Sequence, residues 1–195
     1  MPEVDIRPAT PDRFPHAQRA LSGGGDGRSC QCQWWTITNV EFQRSSVEER
    51  RELLRAELEG ELAPALIAYV DGEAAGWVRV GPRTRQIRLS RTKQLASTTE
   101  EPWDDGSVWA VSCFVVRTEH RGEGLAGRLL AAAIDFAGSH GARVLEGYPV
   151  DPSEGRKKAS NELYRGVVST FARAGFREVG RPRPDRALYA LDLSR

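Results

Sequence analysis

The chain has 195 residues, 28 Lys plus Arg against 27 Asp plus Glu, and a formal net charge of +1. That balance argues against a nucleic-acid binder or an acidic-membrane binder, and the length suits one domain over 1–195 with a substantial core. Three cysteines, no apolar leader and no run of bilayer length lead us to expect free thiols and a cytoplasmic protein.

Val4-Asp5-Ile6-Arg7 alternates apolar and polar before Pro8 and predicts a short first strand. Thr10-Pro11 predicts a helix start, with Thr10 as N-cap and Phe14, Ala17 and Leu21 on the apolar side. The glycine-rich stretch from Ser22 to Gly27 predicts a loop. Next comes Cys30-Gln31-Cys32-Gln33-Trp34-Trp35. Its cysteine spacing is one residue short of the usual zinc clip and no His or Cys cluster completes it, so a buried aromatic and thiol wall is expected and no metal.

Ser46-Val47-Glu48-Glu49 is a capping box that opens a helix through about Leu58, with Leu54 and Leu58 inward. Ala65–Val70 and Ala74–Val80 predict two strands joined by a hairpin at Asp71-Gly72-Glu73. Arg83 to Asp105 shows no clear period. Its basic half, Arg83, Arg85, Arg88, Arg91 and Lys93, reads as a solvated excursion.

The pattern then sharpens. Ser107–Val116 is an apolar, β-branched run that predicts a buried strand, and Leu125–His140 carries a broad apolar helix face. Between them lies a basic turn with Gly122 and Gly124. A strand feeding a helix N-terminus through such a turn is an anion site: the first helical N–H groups lack intrahelical partners and the macrodipole adds positive charge. Arg143–Val150 predicts a strand parallel to the central one by a right-handed crossover. A polar stretch from Asp151 to Lys158, a short helix over Val167–Ala174, and strands at Phe176–Gly180 and Ala187–Leu193 complete the chain.

Gly122-Glu123-Gly124-Leu125-Ala126-Gly127 spells a dinucleotide fingerprint, with Glu146 near the place of the ribose-binding acid. That reading ranks second. Arg117 to Arg121 intervene between strand and first glycine, and few βα units are present. The turn better resembles the GCN5-related N-acetyltransferases, whose signature is met by Arg121, Gly124 and Ala126 after a strand ending at Val116.

The resemblance implies an α/β fold: a mixed, mostly antiparallel central sheet flanked by helices, with a parallel, splayed strand pair at the cofactor site. It implies acetyl-coenzyme A as donor and direct attack by a primary amine of a small molecule or peptide. Backbone groups of Phe114, Val115 and Val116 would bind the pantetheine arm, and Arg121, Gly122, Glu123, Gly124, Leu125, Ala126 and Gly127 the pyrophosphate. The basic residues after Arg83 have an alternative role at the 3′-phosphate. Glu146 is the expected proton relay with Tyr148 orienting it; the alternative pairs Glu146 with an arginine. Trp34, Trp35 and Trp109 would line the acceptor pocket. Dimers are frequent among similar proteins. One departure stands out: Phe171 occupies the position where many relatives carry an acid Tyr, and a phenyl ring donates no proton. Tyr148, Tyr164 or water is left for that task, unless the thiolate leaves unassisted. The departure also keeps open a non-catalytic acyl-coenzyme A sensor.

Overall fold

In a computed structural model, which describes residues 2–154 and 162–194, the chain opens on strand β1 (Val4–Pro8) and helices α1 (Phe14–Leu21), α2 (Gly27–Cys30), α3 (Asn39–Arg44) and α4 (Val47–Leu58). The hairpin β2 (Ala65–Val70) and β3 (Glu73–Pro82) leads into short helices α5 (Ile87–Arg91) and α6 (Lys93–Ala96). Then follow β4 (Val108–Val116), α7 (Leu125–Ser139), β5 (Val144–Gly147), α8 (Val168–Arg173), β6 (Arg177–Arg183) and β7 (Arg186–Asp192). The strands form one sheet ordered β1-β2-β3-β4-β5-β7-β6. Each neighbouring pair is antiparallel except β4 with β5. Among the described residues no helix is long and apolar enough to cross a membrane.

Local sequence accounts for most of the frame. Ser46 Oγ accepts from the Glu49 amide at 3.1 Å while Glu49 returns the bond to Ser46, and Leu54 and Leu58 are buried. A second capping box, Thr38 with Glu41, starts α3. At Thr10 the expectation fails. Its hydroxyl donates to Asp12 rather than capping, Pro11–Arg13 is a 3₁₀ turn, and the α-helix begins at Phe14. The stretch from Arg83 is no solvated excursion either. Arg83, Leu89 and Leu95 are buried, because the segment folds as helical turns onto the sheet.

Two packed layers sandwich the sheet. One core lies under α7, with Leu125, Leu129 and Leu130 against Val78, Trp109 and Val111. The other lies under the first helices, with Phe14, Trp35 and Leu54 against Trp77, Ala110, Cys113 and Val115. The alternation along β4 breaks once. Arg79 pairs with Cys113 and Val80 with Val111, so Ser112 is an extra residue and β4 bulges there. Past the bulge, odd-numbered side chains change face: Trp109 and Val111 lie under α7, whereas Cys113 and Val115 lie on the side of α1.

The parallel pairing ends at the same place. β5 matches β4 only from Val108↔Val144 to Val111↔Gly147. The strand expected to run to Val150 leaves the sheet after Gly147, where the Phe171 ring takes the place of a side chain. A Cβ at Gly147 would lie 2.0 Å from Phe171 Cε1. Beyond it, Val150 makes only single bridges, to Val167 and Arg186. β4 and β5 therefore diverge from Ser112 onward. Of the polar stretch expected over Asp151–Lys158, the part from 155 lies outside the described residues.

Gly147→Ala should destabilise the fold by about 1–3 kcal/mol through overpacking, read as a fall in the urea midpoint. Adding Phe171→Leu to the same chain should recover part of the loss.

Candidate active site

The turn between β4 and α7 is built as an anion cradle. Gly122 and Gly124 have φ of +84° and +75°, a region that side chains disfavour. Among the described residues, the amides of 122 to 126 donate to no acceptor; the Gly127 and Arg128 amides return to the Gly124 carbonyl at 3.0 and 3.3 Å. No acidic residue lies in the first turn of α7, so the N–H groups and the helix dipole are uncompensated. Arg121 anchors the turn by donating from Nε to the Val116 carbonyl at 3.2 Å. The loop after α1 is keyed into this turn: the Thr118 amide donates to the Gly23 carbonyl at 2.9 Å, and a Cβ at Gly23 would collide with Arg117.

A cavity of about 530 Å³ runs from Arg121 and Ala126 along the diverging part of β4 to Trp34 and Trp35. Cys113, Phe114, Val115 and Val116 supply one wall, and the α1–α2 loop another. Leu163, Tyr164, Gly166 and Val167 close the side from which β5 has withdrawn. The Tyr164 carbonyl accepts from the Phe114 amide at 2.5 Å, so that amide is already engaged, although the residue lies on the wall as expected.

Of the predicted turn residues, Arg121 and Ala126 line this space, together with Phe114 to Val116, Trp34, Trp35 and Tyr164; the Leu125 side chain is buried in the core under α7. Arg165 Nε donates to the Tyr164 hydroxyl oxygen at 3.2 Å, and its guanidinium stacks over Trp35 at 4.7 Å. Arg88 stacks over Trp34 at 3.8 Å on the far side from the sheet, which removes it from the phosphate end.

Three predicted residues lie elsewhere. Trp109 precedes the Ser112 bulge and so faces α7, where it packs against Phe136 and His140. Glu146 and Tyr148 share the opposite face, as alternation predicts, but the segment from Arg83 covers them. Arg83 Nη1 donates to Glu146 Oε2 at 2.8 Å, the Tyr148 hydroxyl to the same oxygen at 2.7 Å, and Thr99 Oγ1 to Oε1 at 2.6 Å. Both charged partners are about 1% exposed. Burial, then the Glu146 charge, hold the Tyr148 phenol well above its usual range. The carboxylate serves a buried ion pair rather than the cavity. Phe171 is fully buried against Phe114 and Phe176, on the side away from the cavity.

One constellation escaped the sequence reading. Trp77 Nε1 and Arg79 Nε donate to Cys32 Sγ at 3.2 and 3.3 Å. The two Nη atoms of Arg79 donate to Glu57 at 3.0 and 2.8 Å. The available signal was Arg79 itself, a charge inside an otherwise apolar buried strand, which must find a partner. Among the described residues, no group of three His, Cys, Asp or Glu is placed to hold a metal ion.

The undonated turn amides thus stand beside a parallel strand pair that splays. The family model described as the acetyltransferase (GNAT) family matches residues 31–165, and the chain belongs to that family. Solved structures agree on the fold. An N-acetyltransferase from Staphylococcus aureus Mu50 superposes with a TM-score of 0.55 at 19% identity, covering 98% of this chain and 99% of that one. The ribosomal-protein-alanine N-acetyltransferase from Brucella melitensis gives 0.54 at 20%, with 96% and 99% covered. A protein from Salmonella typhimurium solved with its cofactor acetyl-CoA gives 0.54 at 18%, with 97% and 94% covered. No curated protein matches the chain in sequence.

Glu146→Gln removes one half of a buried ion pair and should cost about 3–5 kcal/mol, measured by urea unfolding. Replacing both partners, Arg83→Met with Glu146→Leu, should restore most of that stability.

Proposed function

We propose that the protein is an acetyl-coenzyme A-dependent N-acetyltransferase acting on a primary amine of a small molecule or peptide. The observation that carries this reading is the row of undonated amides from Gly122 to Ala126, in a turn whose Arg121 and Ala126 line the cavity. The cradle fits a diphosphate: the N–H groups are free, the backbone is open because no atom lies within 4 Å of a Cβ at Gly122 or Gly124, and Arg121 adds a cation at the rim. Bound acetyl-coenzyme A would supply an activated thioester.

The chain's own residues then divide the remaining work. The turn from Arg121 to Gly127 holds the diphosphate. The divergence of β4 from β5 at Ser112 leaves Val115 and Val116 to flank the pantetheine arm. Trp34 and Trp35 form an apolar wall for the acceptor that keeps water from the thioester. Tyr164 is the group with a proton to give. Its oxygen already accepts from the Arg165 guanidinium, which makes its own O–H the better donor toward a departing sulfur. Direct attack by the amine needs no covalent carrier. Glu146 has no part in this scheme, because Arg83, Thr99 and Tyr148 occupy its carboxylate. The alternative of a non-catalytic acyl-coenzyme A sensor rests on the lack of a tyrosine at Phe171, which is buried; turnover of an amine separates the two readings.

Gly124→Val should weaken coenzyme A binding at least tenfold in calorimetry, while the protein stays folded by circular dichroism. Unchanged affinity would count against the assignment. Free thiol release with a panel of amines should be abolished in parallel, and Tyr164→Phe should lower kcat more than it raises KM.

A further inference from the structure

The sulfur of Cys32 sits where four elements meet. It follows α2 on a bend in which both Gln31 and Cys32 take left-handed backbone, with φ of +50° and +57°. Holding two such residues there costs on the order of 1–2 kcal/mol each. Side chains enforce the bend: Gln18 Nε2 donates to Gln31 Oε1 at 2.7 Å, and Gln31 Nε2 to the Arg28 carbonyl at 2.8 Å. Strain of this kind, held by surrounding bonds, is found where a side chain is being positioned. What it positions is a sulfur in the cavity wall beside β3 and β4.

The groups around that sulfur are donors. Trp77 Nε1 and Arg79 Nε point at it, and Cys113, paired with Arg79 across β3 and β4, shares its core cluster and cavity wall. Arg79 has both Nη atoms bound to Glu57 of α4, so Nε is the one nitrogen left for the sulfur. The remaining titratable neighbour is Cys30 on α2. A neutral thiol has a hydrogen to place and little to accept it there, whereas a thiolate satisfies every donor. Burial alone would raise the Cys32 thiol, but the Cys113 hydrogen bond, the Arg79 charge and the Arg79 and Trp77 hydrogen bonds bring it down to about 6. Its neighbours go the other way. The bond to Cys32 and burial push Cys113 well up, and burial pushes Cys30 up to about 11. Although both residues are largely buried, they share the cavity wall, and a thiolate beside a protonated second thiol pairs a nucleophilic sulfur with a resolving partner.

We propose that Cys32 is a thiolate modification site on the cavity wall, and that peroxide entering the cavity joins it to Cys113 as a disulfide. The Cys32 sulfur attacks one peroxide oxygen, the O–O bond breaks, and the departing hydroxide takes a proton as water, leaving a sulfenic acid. The Cys113 sulfur then attacks the sulfenic sulfur, its proton leaves with the hydroxyl as a second water, and the S–S bond forms. Two thiols lose two electrons and two protons, and one hydrogen peroxide becomes two waters. The product ties the bend after α2 to the diverging half of β4. It also removes the negative charge that Arg79 Nε faces. Coenzyme A binding should weaken as a result; only this consequence rests on the proposed acetyl-coenzyme A site.

The test is peptide mass mapping of the whole protein. Iodoacetamide should label Cys32 first, with a rate that climbs through about pH 6, where the thiolate forms, and is flat above neutrality. Cys30 and Cys113 should lag. Hydrogen peroxide should then give a Cys32–Cys113 linked peptide under non-reducing conditions, with coenzyme A affinity down at least tenfold and restored by dithiothreitol. Cys113→Ala should leave a Cys32 sulfenic acid that dimedone captures, and Cys30→Ser should behave as the parent. Equal labelling of the three cysteines, a Cys32 midpoint near the ordinary thiol value of about 8.5, or no Cys32–Cys113 link would overturn the proposal. A link formed in a protein that binds no coenzyme A when reduced would instead leave the sulfur chemistry standing and remove the acetyl-coenzyme A site.

Discussion

The fold turns on a single extra residue. Ser112 makes β4 one residue longer than β3 requires, and three consequences follow from that bulge. Side chains beyond it exchange faces, so Cys113 and Val115 reach the cavity rather than the core under α7. The parallel pairing with β5 ends just before it, at Val111 and Gly147. The far half of β4 then has no partner strand on one edge, where the Phe114 amide meets the Tyr164 carbonyl and the Val116 carbonyl meets Arg121. A flat, fully paired strand would present no such edge. Phe171 packs over Gly147 where the pairing ends, and the Tyr164 carbonyl bridges to the Phe114 amide beyond it.

A second constraint acts through the buried pair Arg83–Glu146. Neither group contacts the cavity, yet the pair fastens the segment after β3 to β5. Arg83 also donates to the Glu101 and Pro102 carbonyls at 2.9 and 2.6 Å and lies 4.0 Å over the Trp103 ring. Such a pair adds little net stability compared with an apolar replacement, but it tolerates few alternative arrangements. A stretch without hydrophobic periodicity is ordered by one charge meeting another across the sheet.

How far the sequence revealed this depended on the range of the interaction. The turn from Arg121 to Gly127, the capping box at Ser46 and the hairpin at Asp71 are local, and each was legible because neighbouring residues determine the backbone. The parallel pairing of β4 and β5 was also legible, since a strand, helix and strand in succession fold with one handedness. Trp109 and Glu146 lie off the cavity for different reasons. The bulge at Ser112 leaves Trp109 on the α7 face, whereas Glu146 keeps the face that alternation assigns and is met there by Arg83, 63 residues away. Cys32 sits in the buried aromatic and thiol wall as expected, but its donors were not legible, since they come from β3, far along the chain.

The seam between Gly23 and Thr118 has a consequence of its own. The carbonyl of Gly23 accepts from both the amide and the hydroxyl of Thr118, and Arg117 holds the Arg19 carbonyl and Ser22. The segment that leads toward Trp34 is therefore stitched to the shoulder of the anion cradle. The glycine loop and the turn before α7 are mechanically one object in this chain, so lengthening the loop would loosen the turn at the same stroke.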